Sequence, residues 1–280
     1  MYRILFVCFF LSGSGFVHGQ PTRIFLGETI IYDEVSEGVE WRQYRPDSLF
    51  SSRQCINIIF CENTYGHIFD LVSSEEEKKT TNSFAKNNDA IIAVNGSFFD
   101  VKNGGSVVFL QNNKKVSAKT TKVHEFIDEG AIALDRKGLL SIIEKPAQGW
   151  KRNKEFEDIL SSGPMLILDG NIQPITQDKF NLSRHPRTAI GTKQDGTIVL
   201  VTVDGRSPYA QGMTIEELTV LMANLGCVDA INLDGGGSTT LWVNGRTPNG
   251  TVNYPSDNKE FDHAGVRKVA NAIILKRKEK

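Results

Sequence analysis

Short apolar runs, separated by polar pairs and glycine-bearing turns, recur along almost the whole chain. In residues 20–75 they are "RIFLGETIIY", "CINIIF" and "HIFDLV"; later come "DAIIAVNG", "SVVFL", "GAIALD", "LLSIIE", "MLILDGNI", "GTIVLVTVDGR", "VDAINLD", "TTLWVNG" and "RKVANAIILK". Runs this short, rich in Val, Ile and Phe and bounded by Gly, Asn and Asp, predict strands. Helical spacing is rarer. Within "MTIEELTVLMANLG" the residues Ile215, Leu218, Leu221, Met222 and Leu225 share one face. Thr214 and Glu217 make a capping box at its start, and Gly226 ends it. The polar segment 73–88 predicts a surface helix, and 154–160 another that stops before Gly163-Pro164. The pattern predicts an α+β fold, with a strand-rich mixed sheet core and two or three packed helices. No repeat or low-complexity linker interrupts it. An N-terminal strand-rich part, 20–75, is expected to pack on a core domain formed by 76–280.

The first twenty residues, "MYRILFVCFFLSGSGFVHGQ", depart from this pattern. Arg3, an apolar run and then small residues, with Val17 and Gly19 where a signal peptidase reads them, predict a signal peptide over 1–19. Export to the periplasm or the exterior is the expectation, and no other run is apolar and long enough for an integral membrane span. The mature chain then keeps Cys55, Cys61 and Cys227, which allow at most one disulfide. Cys55 and Cys61 flank a strand-like run and stand too far apart to bond, so buried free thiols are expected. The full length of 280 residues is ample for a sizeable core. The formal net charge of −1 supplies no global field that would draw the protein to nucleic acid or anionic membranes. No Cys/His spacing of a zinc site occurs, and no metal or other cofactor is expected.

The candidate chemistry sits in the C-terminal third. Residues 196–237 read as strand, helix, strand. If the two strands run parallel, Asp204 and Asp234 end them on one sheet edge, where ligands of open sheets bind. An antiparallel return would put the two carboxylates at opposite edges. Asn95 ends another apolar run and could join them. Asp234 opens the loop Gly235-Gly236-Gly237, followed by Ser238 and Thr239. One glycine would serve a plain turn, so three suggest close approach to the backbone, with successive N–H groups available to an anion. The lysine and spacing of a P-loop are missing. Arg187 and Arg206 are the natural clamps for a phosphate or carboxylate, because a guanidinium binds such groups bidentately.

Six segments together resemble the phosphodiester glycosidase family: "AVNGSFFD" (93–100), "SGPMLILDG" (162–170), "RHPRTAIG" (184–191), "VTVDGR" (201–206), "GMTIEEL" (212–218) and "NLDGGGSTTL" (232–241). The last is the most specific. The resemblance implies hydrolysis of the glycosidic bond of a sugar-1-phosphodiester, releasing free sugar and a phosphomonoester. Carried residue by residue, it points to Asn95, Arg187, Asp204, Arg206, Asp234 and the stretch from Gly235 to Thr239. Glycoside hydrolysis commonly uses two carboxyl groups. Asp234 is expected to face the anomeric carbon, with Asp204 as its acid/base or sugar-positioning partner. Two rivals belong to other classes. Asp100, Asp204 and Asp234 could hold a divalent ion for hydrolysis at phosphorus. Alternatively the protein binds glycans without turnover, with Trp41, Trp150 and Trp242 as stacking surfaces, although core packing is the commoner role of such residues.

Overall fold

The computed structural model describes residues 23–63, 66–75, 77–121 and 125–278. The expected signal segment lies outside them. An eight-stranded sheet forms the centre, with spatial order Thr29–Ser36, Val39–Tyr44, Ile56–Cys61, Ile198–Val203, Arg187–Lys193, Cys227–Asn232, Met165–Leu168 and Asn171–Ile172. Each neighbouring pair is antiparallel. Residues from 20–75 therefore supply one flank of this sheet, and His67–Ser73 pairs with Asn271–Arg277 in a separate four-stranded sheet. A five-stranded sheet contains Leu110–Asn112, Lys115–Ala118, Gly130–Leu134, Leu140–Glu144 and Asp158–Ser162.

The central strands are apolar on both faces because both faces are covered. On Ile198–Val203, Val199, Val201 and Val203 pack with Met213, Ile215, Leu218, Leu221 and Met222 of the helix side. Ile198 and Leu200 point the other way, into a cluster with Phe69, Ile92, Val94, Ile132 and Ile273 from the other two sheets. Full burial of one Leu or Met contributes about 1.5–3 kcal/mol, so the stripe on one helix suffices to seat it.

Three α-helices are present among the described residues: α1 (Thr81–Asn87), α2 (Lys179–Leu182) and α3 (Ile215–Asn224). α3 has the expected capping box between Thr214 and Glu217. Gly226 follows it with φ of 84°, a left-handed stop that favours glycine. The expected helix over 73–88 contracts to α1, because Lys79–Thr80 pairs with Lys268–Val269 and Thr80 caps the helix start. The expected helix over 154–160 is absent. Asp158–Ser162 is instead a strand between Gly130–Leu134 and Leu110–Asn112. Sheet partners on both sides override the local preference of so short a segment. Trp41, Trp150 and Trp242 are all core residues. Cys55, Cys61 and Cys227 are buried free thiols.

Candidate active site

One edge of the central sheet collects the candidate residues. Ile198–Val203 and Cys227–Asn232 both run antiparallel to Arg187–Lys193, so they are parallel to each other and their carboxyl ends share an edge. They are not adjacent in the sheet. Arg187–Lys193 lies between them, because the crossover through α3 skips one strand position. In register at this edge stand Tyr44, Ile56, Val203 and Arg187, with Asp204 and Asp234 just beyond it.

Asp204 is 1 % exposed. Its Oδ1 accepts from Asn253 Nδ2 at 2.9 Å and from the Tyr254 N–H at 2.8 Å. Its Oδ2 accepts from no N–H group among the described residues, and the Cys55 thiol lies beside the carboxyl. Burial pushes its carboxyl up to about 6, and those two hydrogen bonds pull the other way without prevailing. Asp234 is partly open to solvent, yet protein surrounds its carboxyl closely enough that burial lifts it, too, to about 6. Ser238, Arg267, the Gly235 N–H and Arg206 oppose that shift. Two carboxyl groups that titrate near neutrality, in different settings at one edge, form a chemically competent arrangement.

Asn95 has no hydrogen-bonding capacity to spare. Its Nδ2 donates to the carbonyls of Asp234 at 2.7 Å and Gly96 at 3.2 Å. Its Oδ1 accepts from Thr188 Oγ1 at 2.9 Å and the Thr240 N–H at 3.1 Å. It fixes the main chain that carries Asp234 rather than offering a free amide. Asn253 has a similar role: besides Asp204, its Nδ2 reaches the Thr239 carbonyl at 3.1 Å, and its Oδ1 accepts from the Leu241 N–H at 2.8 Å. One buried amide thus ties both carboxylate-bearing chain segments together.

Arg187 is fully buried. Its Nε donates to the Met213 carbonyl at 2.8 Å, and its Nη2 to the carbonyls of Phe180 at 2.7 Å and Ser183 at 2.8 Å. Phe180 also packs beneath its guanidinium at 4.6 Å. Only Nη1 lacks a partner among the described residues, so little of the fork remains for a ligand. Burial lowers this guanidinium to about 10. Arg206 is different. It is exposed, at φ of 62°, and its guanidinium lies 2.8 Å from where a Cβ on Gly236 would stand. Burial and the nearby Arg267 lower its pKa.

The glycines of the loop are explained first by the protein's own atoms. A Cβ on Gly235 would meet the Pro186 carbonyl at 2.7 Å, and one on Gly237 would overlap Arg267 and Asp257. Gly236 adopts φ of 60° and donates its N–H to the Pro186 carbonyl at 2.8 Å. Ser238 and Thr239 are buried, with Thr188 Oγ1 3.3 Å from Thr239 Oγ1. Asp100 lies away from this convergence. It accepts from the N–H groups of Lys102 and Asn103 and from the Asn103 amide in its own exposed turn. Among the described residues no three His, Cys, Asp or Glu side chains cluster as metal ligands would.

Sequence periodicity passed over residues 251–267, which supply the roof of the site. Arg267 pairs with Asp257 at 2.5 Å beside Gly237. Tyr254 stacks on Phe261 at 4.1 Å and meets the His263 ring in a tilted contact at 4.5 Å. The available signal was length: a long irregular connection rich in polar and aromatic residues is usually functional.

Comparison with known proteins supports the same assignment. The phosphodiester glycosidase family model matches residues 88–276. The SPbeta prophage-derived uncharacterized protein YomE of Bacillus subtilis is 30% identical over 209 residues, covering 65% of this chain and 31% of that protein. The human N-acetylglucosamine-1-phosphodiester alpha-N-acetylglucosaminidase is 28% identical over 204 residues, covering 64% of this chain and 36% of its own. The chain thus spans about a third of the length of these relatives. The zebrafish N-acetylglucosamine-1-phosphodiester alpha-N-acetylglucosaminidase catalytic domain, auto-inhibited by its pro-peptide, superposes with a TM-score of 0.68 at 18% identity, over 90% of this chain and 87% of that one. A hypothetical protein from Synechocystis superposes with a TM-score of 0.69 at 15% identity, over 87% and 63% of the respective chains. The matched segment contains both raised carboxyl groups, the glycine loop and its two arginines, and on it the chain belongs to the phosphodiester glycosidase family.

Proposed function

We propose that the protein hydrolyses the glycosidic bond of a sugar-1-phosphodiester, releasing free sugar and a phosphomonoester. The observation that carries this reading is the pairing of Asp234, raised to about 6 and partly open to solvent, with the arginines at the glycine loop. The bond between the anomeric carbon and the phosphate oxygen breaks, and its electron pair leaves with that oxygen. A phosphate leaves more readily than an alkoxide, so protonating it gains less than in an ordinary glycoside. The decisive group is then the one that supplies electrons to the oxocarbenium-like centre. Asp234, ionised, faces that carbon and adds to it or takes a proton from an attacking water. Arg206 and Arg267 hold the phosphate. Arg267 is already paired with Asp257, whereas Arg206 has no direct ion pair among the described residues and is balanced at longer range by Asp257 and Asp234. Asp204 serves from behind as a positioning group, because its enclosure leaves no open path for a sugar and its fixed oxygen orients Asn253 and Tyr254.

The signal-like start favours export, and the 20–75 part belongs to the catalytic unit because its strands complete the sheet beside Asp204. The deciding experiment is a product assay by mass spectrometry on a panel of sugar-1-phosphodiesters. Free sugar and phosphomonoester are expected. Sugar phosphate and free alcohol would mean attack at phosphorus, and binding without any product would favour the glycan-binding reading.

A further inference from the structure

Beyond Asp204, on the side away from Asp234, the same sheet edge holds a recess of about 400 Å³ lined by Arg45, Asp47, Arg53, Gln54, Tyr209 and Phe261. Its place follows from register. Tyr44 pairs with Ile56, and Ile56 with Val203, so Gln54 and Arg45 lie one and two strands along from Asp204. At roughly 4.8 Å per strand that is about 5–10 Å. Tyr254 links the two places: its N–H holds Asp204, while its ring stacks on Phe261 and its hydroxyl accepts from Arg45.

Three features of the recess are unspent. Tyr209 is 63 % exposed and packs against Phe261 at 5.3 Å, leaving apolar ring surface to solvent. Arg45 donates to Gln43 and Tyr254 but has no carboxylate partner among the described residues, so its charge is not neutralised by a direct pair, and Arg53 has only the exposed Asp47 at 3.9 Å. Gln54 is 1 % exposed, and although its Nε2 donates to Ser52 and to the Gly212 carbonyl, its Oε1 has no partner among the described residues. A buried acceptor without a donor is costly, so a donor is expected there when the site is filled. Ring faces take the C–H face of a pyranose, guanidinium groups take an anion, and the amide oxygen takes a hydroxyl.

We propose that this recess is a second subsite, which binds an anionic sugar residue extending from the scissile phosphodiester. This rests on the glycosidase reading for its place in the substrate, but the binding itself does not require turnover. The shared ligand chemistry is a pyranose bearing one anionic group, whether phosphate or carboxylate. The test titrates the full chain with glucose 6-phosphate, glucuronate, glucose and inorganic phosphate by ligand-observed NMR, for wild type, Tyr209→Ala, Tyr209→Phe and Arg53→Gln. At least one anionic sugar should bind about tenfold tighter than glucose or phosphate alone, and which of the two does so identifies the anion. Tyr209→Ala and Arg53→Gln should each weaken it at least about fivefold, and Tyr209→Phe should not, since stacking needs the ring and not the hydroxyl. Binding unchanged in both weakening variants, or binding of inorganic phosphate as tight as that of the anionic sugars, overturns the proposal. Failure of every phosphodiester to be cleaved would sink the glycosidase reading while leaving a variant-sensitive binding result intact.

Discussion

Asp204 keeps two N–H donors on one oxygen and none on the other, inside a wall that leaves 1 % of the residue exposed. Burial outweighs those bonds, so its folded pKa of about 6 lies above the ordinary 3.8. The folded state therefore binds this proton more tightly than the unfolded chain does. The stability this contributes is complete below about pH 4 and is lost as pH rises through about 6. Asp204→Asn keeps the accepting oxygen and removes the ionisation. It should raise unfolding free energy at pH 8 by up to about 3 kcal/mol and leave it nearly unchanged at pH 4, as urea titrations would register. The same variant should lose about tenfold in kcat/KM, a positioning loss, against at least ~100-fold for Asp234→Asn. Equal losses would place Asp204 in direct contact with substrate. In wild type, kcat/KM should fall as pH drops below about 6, where Asp234 takes up its proton. Gly236→Ala combines φ of 60° with a clash against Arg206, so an increase in KM should accompany a modest loss of stability.

Arg187 works at the level of elements. Its fork holds the end of α2 through the Phe180 and Ser183 carbonyls and the approach to α3 through the Met213 carbonyl. It thereby pins two helices to the sheet edge from which Asp204 and Asp234 emerge. Lysine keeps the charge and loses that geometry. Arg187→Lys should cost about 2–4 kcal/mol in chemical denaturation, with KM of the folded enzyme within about twofold of wild type. A raised KM at unchanged stability would instead make Arg187 a ligand contact. α3 is independently capped, so Thr214→Ala should cost about 1 kcal/mol and leave catalysis intact. Local signals sufficed for α3, whose cap, stripe and stop agree. They failed at Asp158–Ser162, which is a strand because Gly130–Leu134 and Leu110–Asn112 pair with it from distant parts of the chain.

For the whole molecule, the segment 88–276 that matches the family is expected not to fold alone, because strands outside it complete two of the sheets. Ile56–Cys61 pairs along the full length of Ile198–Val203, and the Cys55 carbonyl accepts from the Asp204 N–H at 2.9 Å. His67–Ser73 likewise covers Asn271–Arg277. A fragment of residues 88–276 would expose two long apolar edges and should be recovered as aggregate, whereas a chain starting at residue 20 should give a cooperative unfolding transition. A soluble, cooperatively folding fragment would make the N-terminal strands accessory.

The sequence by itself determined the strand-rich α+β class, α3 with both its ends, the buried thiols and the two aspartates at strand ends. Each of these depends on contacts within a few residues or on burial periodicity, which local residue order encodes. Only the tertiary structure decided that Arg187–Lys193 separates the two aspartate-bearing strands, that Asn95 and most of the Arg187 fork are held by partners within the protein, and that Arg267, Asn253 and Tyr254 close the site. Strand order and hydrogen-bond satisfaction depend on partners far apart in the chain. Arg187 therefore reads as a clamp until the carbonyls that hold it are in place.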